Sequence, residues 1–128
     1  MTTYFGFTKL VVNDLEACAA FYTAVFGMQE QRRIRSDIAG RPIEEILFGA
    51  SASGGGSFVL LHYLDVTAPS DDEVILGMWT DDIHGLFARA EAAGGSVVQE
   101  IAERPEHGVH LGFLTDVEGH LIEVVQAL

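Results

Sequence analysis

Apolar positions change period along the chain, and each change marks a boundary between elements. Residues 5–12, rich in Phe, Leu and Val, predict a strand. Asn13 and Asp14 then offer an N-cap, and Leu15, Cys18, Ala19, Tyr22, Val25 and Phe26 recur at helical spacing until Gly27 closes the turn. Three extended stretches follow, near 31–38, 43–48 and 58–64, separated by Ala39-Gly40-Arg41-Pro42 and by the small-residue segment 49–56. Residues 65–73, acidic and containing Pro69, form a polar connection. The order then restarts. Residues 74–80 predict a strand, Asp81 and Asp82 can cap, and Ile83, Leu86, Phe87 and Ala90 make a second helical stripe that ends at Gly94-Gly95. Residues 96–103, 109–114 and 121–127 supply three more strands.

The recurrence is positional. Capping acid and closing glycine stand 13 residues apart in both halves, Asp14 to Gly27 and Asp81 to Gly94, an offset of 67. Gly56-Ser57-Phe58-Val59-Leu60-Leu61 and Gly119-His120-Leu121-Ile122-Glu123-Val124 repeat at an offset of 63. Two copies are too few for a solenoid, so the economical reading is two modules. The predicted fold class is α+β: two tandem βαβββ modules forming a cupped mixed β-sheet. The whole chain, 1–128, is one domain, with module 1 at about 4–64, a linker at about 65–73 and module 2 at about 74–128.

Charge narrows the partners. Seven Lys and Arg stand against nineteen Asp and Glu, a formal charge of -12, which repels a phosphate backbone and anionic lipid. Nucleic acid and membranes are set aside, and no stretch approaches the roughly 18–20 apolar residues of a membrane span. The start Met1-Thr2-Thr3 lacks a basic segment followed by an apolar core, so a cytoplasmic protein is expected. Cys18, the single cysteine, excludes an internal disulfide and reads as a small buried hydrophobe.

The run Thr115-Asp116-Val117-Glu118-Gly119-His120-Leu121-Ile122-Glu123-Val124 carries the strongest chemical signal, because Glu123 interrupts the apolar pattern of a strand. Together with Leu10-Val11-Val12-Asn13-Asp14-Leu15-Glu16, Ala20-Phe21-Tyr22, Phe26-Gly27-Met28 and Ala93-Gly94-Gly95, it resembles the vicinal oxygen chelate superfamily, which contains glyoxalase I, the fosfomycin and bleomycin resistance proteins and the extradiol dioxygenases. The scaffold hosts many reactions, so the resemblance implies a fold more than an activity. It also implies a homodimer. In metal-dependent members, four inward positions hold a divalent ion through His and Glu. The resemblance places them at Phe7, Leu60, Ile75 or a neighbour, and Glu123. One carboxylate cannot hold a divalent cation against water. No cofactor is therefore expected, a rearranged site for zinc, nickel, manganese or iron being the alternative.

Strand alternation extends the inward set to Phe7, Lys9, Leu60, His62, Ile75, Trp79 and Glu123, an apolar pocket with three ionisable groups that suits a small-molecule ligand. Lys9 would anchor a substrate carboxylate or phenolate, while His62 and Glu123 would move protons. Alternatively, Lys9 and Glu123 form an ion pair filling a vestigial metal site, and His62 is only hydrogen-bonded. His110 is placed at the rim of the same cup, and His84, His107 and His120 at the surface. Phe48, Phe58 and Phe113 read as core. The Gly54-Gly55-Gly56 run lacks the helix and lysine of a phosphate cradle. Arg33 and Arg35, on one face of their strand, read as a solvated edge. Two functions follow: a metal-independent binder like the bleomycin resistance proteins, or a glyoxalase-type lyase or isomerase that abstracts a proton next to a carbonyl with Glu123 or His62 as base. Extradiol ring cleavage requires two His and a carboxylate, and Phe7 and Ile75 speak against it.

Overall fold

The structure is a computed structural model that describes residues 7–38, 41–49, 56–65 and 74–128. Contacts divide the chain into two units, Met1–Pro69 and Ser70–Leu128. The boundary falls in the polar connection, most of which lies outside the described residues, as do the glycine-rich segment 50–55 and the turn residues 39–40.

The first unit runs β1 (Phe7–Val11), α1 (Leu15–Phe26), β2 (Gln29–Ile38), β3 (Arg41–Gly49) and β4 (Ser57–Tyr63). Its sheet has the order β1-β4-β3-β2, with β1 parallel to β4 and the other pairs antiparallel. Asp14 ends the strand and starts the helix, its Oδ1 accepting the Ala17 N–H at 3.0 Å. Gly27 stops the helix in the left-handed region, φ 67°, and donates its N–H to the Thr23 carbonyl at 3.1 Å. The buried stripe Cys18, Phe21, Tyr22 and Val25 lies against β3 and β4, with the Tyr22 and Phe58 rings 5.0 Å apart.

The second unit repeats the plan with β5 (Leu76–Trp79), α2 (Ile83–Ala92), β6 (Ser96–Arg104), a single 3-10 turn at Pro105–His107, β7 (Val109–Thr115) and β8 (Leu121–Ala127), in the order β5-β8-β7-β6. Asp82, rather than Asp81, caps α2 by accepting the Gly85 N–H at 3.0 Å. Gln126 of β8 accepts the Ile83 N–H at 2.7 Å and so ties the helix start to the sheet. A Cβ at Gly112 would stand 2.6 Å from the Phe87 ring, so glycine is what lets α2 settle on β7. The fold is thus two βαβββ modules, each a four-stranded mixed sheet with one helix. Among the described residues no helix is long and apolar enough to cross a membrane.

The turn before β8 is held by a buried carboxylate. Asp116 accepts the N–H groups of Glu118 and His120 and the His120 Nδ1–H, the last at 2.7 Å, while Gly119 sits at φ 91°. Burial pushes the Asp116 carboxyl up, but the bonds from the His120 ring and from the two N–H groups outweigh it and hold the group below its ordinary range. His120, expected at the surface, is half-buried because it serves this turn.

Candidate functional site

Each sheet has one face under its helix and one turned away from it, and the register decides which side chains reach the second. In β4, Phe58 meets Tyr22 of α1, so Leu60 and His62, two and four residues on, share the helix face. Leu60 is fully buried there. His62 places Nδ1 3.1 Å from the Val12 carbonyl, and because a carbonyl only accepts, Nδ1 carries the proton. These two placements correct the expectation that Leu60 and His62 join Lys9 in a pocket. Lys9 stands opposite Val59, and Val59, Leu61 and Tyr63 form its face.

The cause is a one-residue slip between the halves. Gly56 directly precedes β4, but Gly119 and His120 both precede β8, so the strands repeat at 64 (Ser57 to Leu121) and not at the 63 of the glycines. A slip of one residue exchanges the two faces. The counterpart of Glu123 is therefore Val59.

On the far face of the first sheet, Lys9 Nζ reaches across β4 to Glu45 Oε2 of β3 at 2.6 Å. The Glu45 side chain is 8% exposed and that of Lys9 33%. Lys9 also lies 5.8 Å from the centroid of the Phe7 ring. Of the two roles considered for Lys9, neither an ion pair with Glu123 nor a free cation is found: its partner is Glu45, within the first unit. Glu45 escaped sequence reasoning because Glu44-Glu45 reads as a polar interruption of a strand. Its signal was the alternation Ile43, Glu45, Leu47 on one face of a central strand.

On the far face of the second sheet, Glu123 stands between Gly77 of β5 and Phe113 of β7, with Leu121 and Val125 beside it along β8. Trp79 pairs with Val125 and shares that face. It is 74% exposed, and Ile75, just before β5, is 53% exposed. Glu123 is half-buried and has no hydrogen-bond or ion-pair partner among the described residues. Phe113, expected in the core, is half-buried beside it. His110 does not join this group. It is opposite Gln126, whose side chain bonds the start of α2, so it lies on the helix side.

Three more basic side chains are paired. Arg33 of the edge strand β2 binds Glu16 and Glu30, and these hydrogen bonds hold both carboxyls below their ordinary range. Arg35 binds Glu44, and Arg41 binds Asp65 while stacking 3.7 Å from the Tyr63 ring. With Lys9, four of the seven basic side chains are thereby paired, and the formal charge of -12 makes the surface field negative. A cleft of about 270 Å³ between the start of α1 and strands β2 and β3 is lined by Leu15, Arg33, Ile34, Arg35, Glu44, Glu45 and Ile46, whose charges pair among themselves or with Lys9, Glu16 and Glu30.

The ligand positions that the sequence resemblance implies, with the register corrected by one residue in β4, are Phe7, Val59, Ile75 and Glu123, with a single oxygen donor group among them. Among the described residues no three His, Cys, Asp or Glu side chains are grouped so as to hold a metal ion. This donor set does not fit a divalent cation, which needs several converging ligands.

Comparison with known proteins agrees on the family. A probable lactoylglutathione lyase of Vibrio parahaemolyticus is 29% identical over 93% of this chain and 87% of its own length. Among solved structures, a glyoxalase family protein from Bacillus cereus superposes with a TM-score of 0.83 at 18% identity, covering 100% of this chain and 96% of that one. A glyoxalase-related enzyme from Fulvimarina pelagi gives 0.70 at 25% identity, covering 98% and 88%. The pattern described as the Glyoxalase/Bleomycin resistance protein/Dioxygenase superfamily matches residues 4–124, from the first strand into the last, and the chain belongs to that superfamily.

Proposed function

We propose that the chain is a small-molecule-binding protein that works without the superfamily's divalent metal and receives its ligand on the sheet faces turned away from the helices. The observation that carries this reading is the donor set: Phe7, Val59 and Ile75 are apolar at three of the four ligand positions, and Glu123 stands alone at the fourth. The exposed aromatic and aliphatic side chains around Glu123 support it, since small-molecule sites are mostly apolar with a few polar anchors. The homodimer implied by the resemblance belongs to the same proposal and is read by light scattering.

A second reading has support of its own. Relatives named probable lactoylglutathione lyase, together with an unpaired carboxylate at position 123, favour a lyase that abstracts a proton next to a carbonyl with Glu123 as base. Two features weigh against it. His62 commits its Nδ1 proton to Val12 on the helix face, and Lys9, already neutralised by Glu45, is a poor electrophile for an enolate.

The deciding experiment is metal content of the purified protein, then titration with zinc, nickel, manganese and iron(II) while thermal unfolding is followed. No bound metal and no shift in melting temperature are expected. Stoichiometric metal with a clear rise would overturn the binder and bring the lyase forward, to be assayed against lactoylglutathione.

A further inference from the structure

On β5 and the residue directly before it, two large exposed side chains flank a glycine: Ile75, Gly77 and Trp79 follow at intervals of two, and a Cβ at Gly77 would meet no atom within 4 Å. Gly77 is the residue directly opposite Glu123 on β8. The result is a notch one residue wide, walled by Trp79 and Ile75, floored by the Gly77 backbone and open on one side to the Glu123 carboxylate, with Phe113 beyond it. Glu123 has no partner among the described residues, and Trp79 turns most of its indole surface to solvent.

We infer that this notch binds an organic cation, an alkylated ammonium or amidinium group seated between the Trp79 indole and the Glu123 carboxylate. An exposed indole face attracts a cation through its quadrupole, and a carboxylate without a counter-ion supplies the full charge that a neutral ligand would not use. The absent Cβ at position 77 is what allows an alkylated head group to reach both at once. An anion is disfavoured there twice, by Glu123 itself and by a formal charge of -12 on the chain. The inference rests on the metal-free reading above and names the ligand class for it.

Trp79 is the only tryptophan, so its fluorescence reports on this notch alone. The full-length protein is titrated with benzyltrimethylammonium, with 2-methyl-1-phenyl-2-propanol as a near-isosteric neutral probe, and with benzenesulfonate as an anion. A saturable change with the cation is expected, at least about fivefold weaker with the alcohol and absent with the sulfonate. Glu123→Gln is expected to weaken the cation about fivefold and leave the alcohol unchanged. Gly77→Val fills the notch at a site with open space around the new side chain, and is expected to remove the response while the melting temperature holds. Equal affinity for cation and alcohol, or an unaltered cation affinity in Glu123→Gln, would overturn the inference. Saturable binding of the sulfonate to metal-free protein overturns the inference but leaves the metal-free binder standing, whereas stoichiometric metal overturns that reading itself.

Discussion

Removing Lys9 is expected to destabilise the protein more than removing Glu45, although both substitutions break the same ion pair. In Lys9→Met the carboxylate of Glu45 loses its cation while its side chain is only 8% exposed; in Glu45→Gln the ammonium of Lys9, one-third exposed, can turn to water. Breaking a deeply buried pair by deleting one partner costs about 3–5 kcal/mol, and the exposure of Lys9 lowers that toward about 2–3 kcal/mol for Lys9→Met and about 1 kcal/mol for Glu45→Gln. Urea unfolding of both variants and of Lys9→Met/Glu45→Leu at pH 7 measures this, and the double variant, which replaces the pair by two apolar side chains, is expected to recover most of the loss. An equal or reversed asymmetry between the two single variants, or a double variant no more stable than Lys9→Met, would refute the buried-pair reasoning.

Three further outcomes are expected. Leu60→Ala should cost about 2–5 kcal/mol in chemical unfolding, because Leu60 is fully enclosed under α1, and should leave any ligand affinity of the folded protein unchanged. Asp116→Asn should cost about 2 kcal/mol at neutral pH, since an amide replaces the carboxylate that holds the Glu118 and His120 donors. The Asp116 carboxyl is depressed below its ordinary 3.8, so its stabilisation is complete above that value and lost as pH falls through the lower folded value. A pH series of melting temperatures should thus show an acid limb that is smaller in the variant. Gly27→Ala should cost about 1 kcal/mol by thermal unfolding, because the new side chain must adopt the left-handed region at φ 67°.

Elements were legible in the sequence wherever a local rule sufficed. Asp14 and Gly27 bound the first helix as their chemistry dictates, and the apolar period separates helices from strands in both modules. The faces of the strands were less legible, because they depend on a count that crosses a turn. Both modules have a glycine before the last strand, but only the second inserts His120, whose N–H and ring are both held by Asp116. That one residue moved Leu60 and His62 to the helix side and put Val59 where Glu123 has its counterpart. Lys9 was legible as a residue needing a partner, but its partner was not, since Glu45 becomes its neighbour only through the pairing of three strands. Trp79 and Glu123 share a face as alternation predicts; the Gly77 gap between Ile75 and Trp79 acquired meaning only when β5 was aligned beside β8.

The parallel pairing of each module's first and last strands has a consequence for synthesis. β1 cannot find its hydrogen-bonding neighbour until β4 exists, and the same holds for β5 and β8, so each module must close a long loop before its sheet is complete. Pairings of such sequence separation form slowly, and the earlier strand waits unpaired meanwhile. On a ribosome, the first module has its full complement of strands once Tyr63 has emerged, before β5 is made. The risk of mispairing is greatest in the interval when β4 has joined β3 and its other edge still waits for β1 to return.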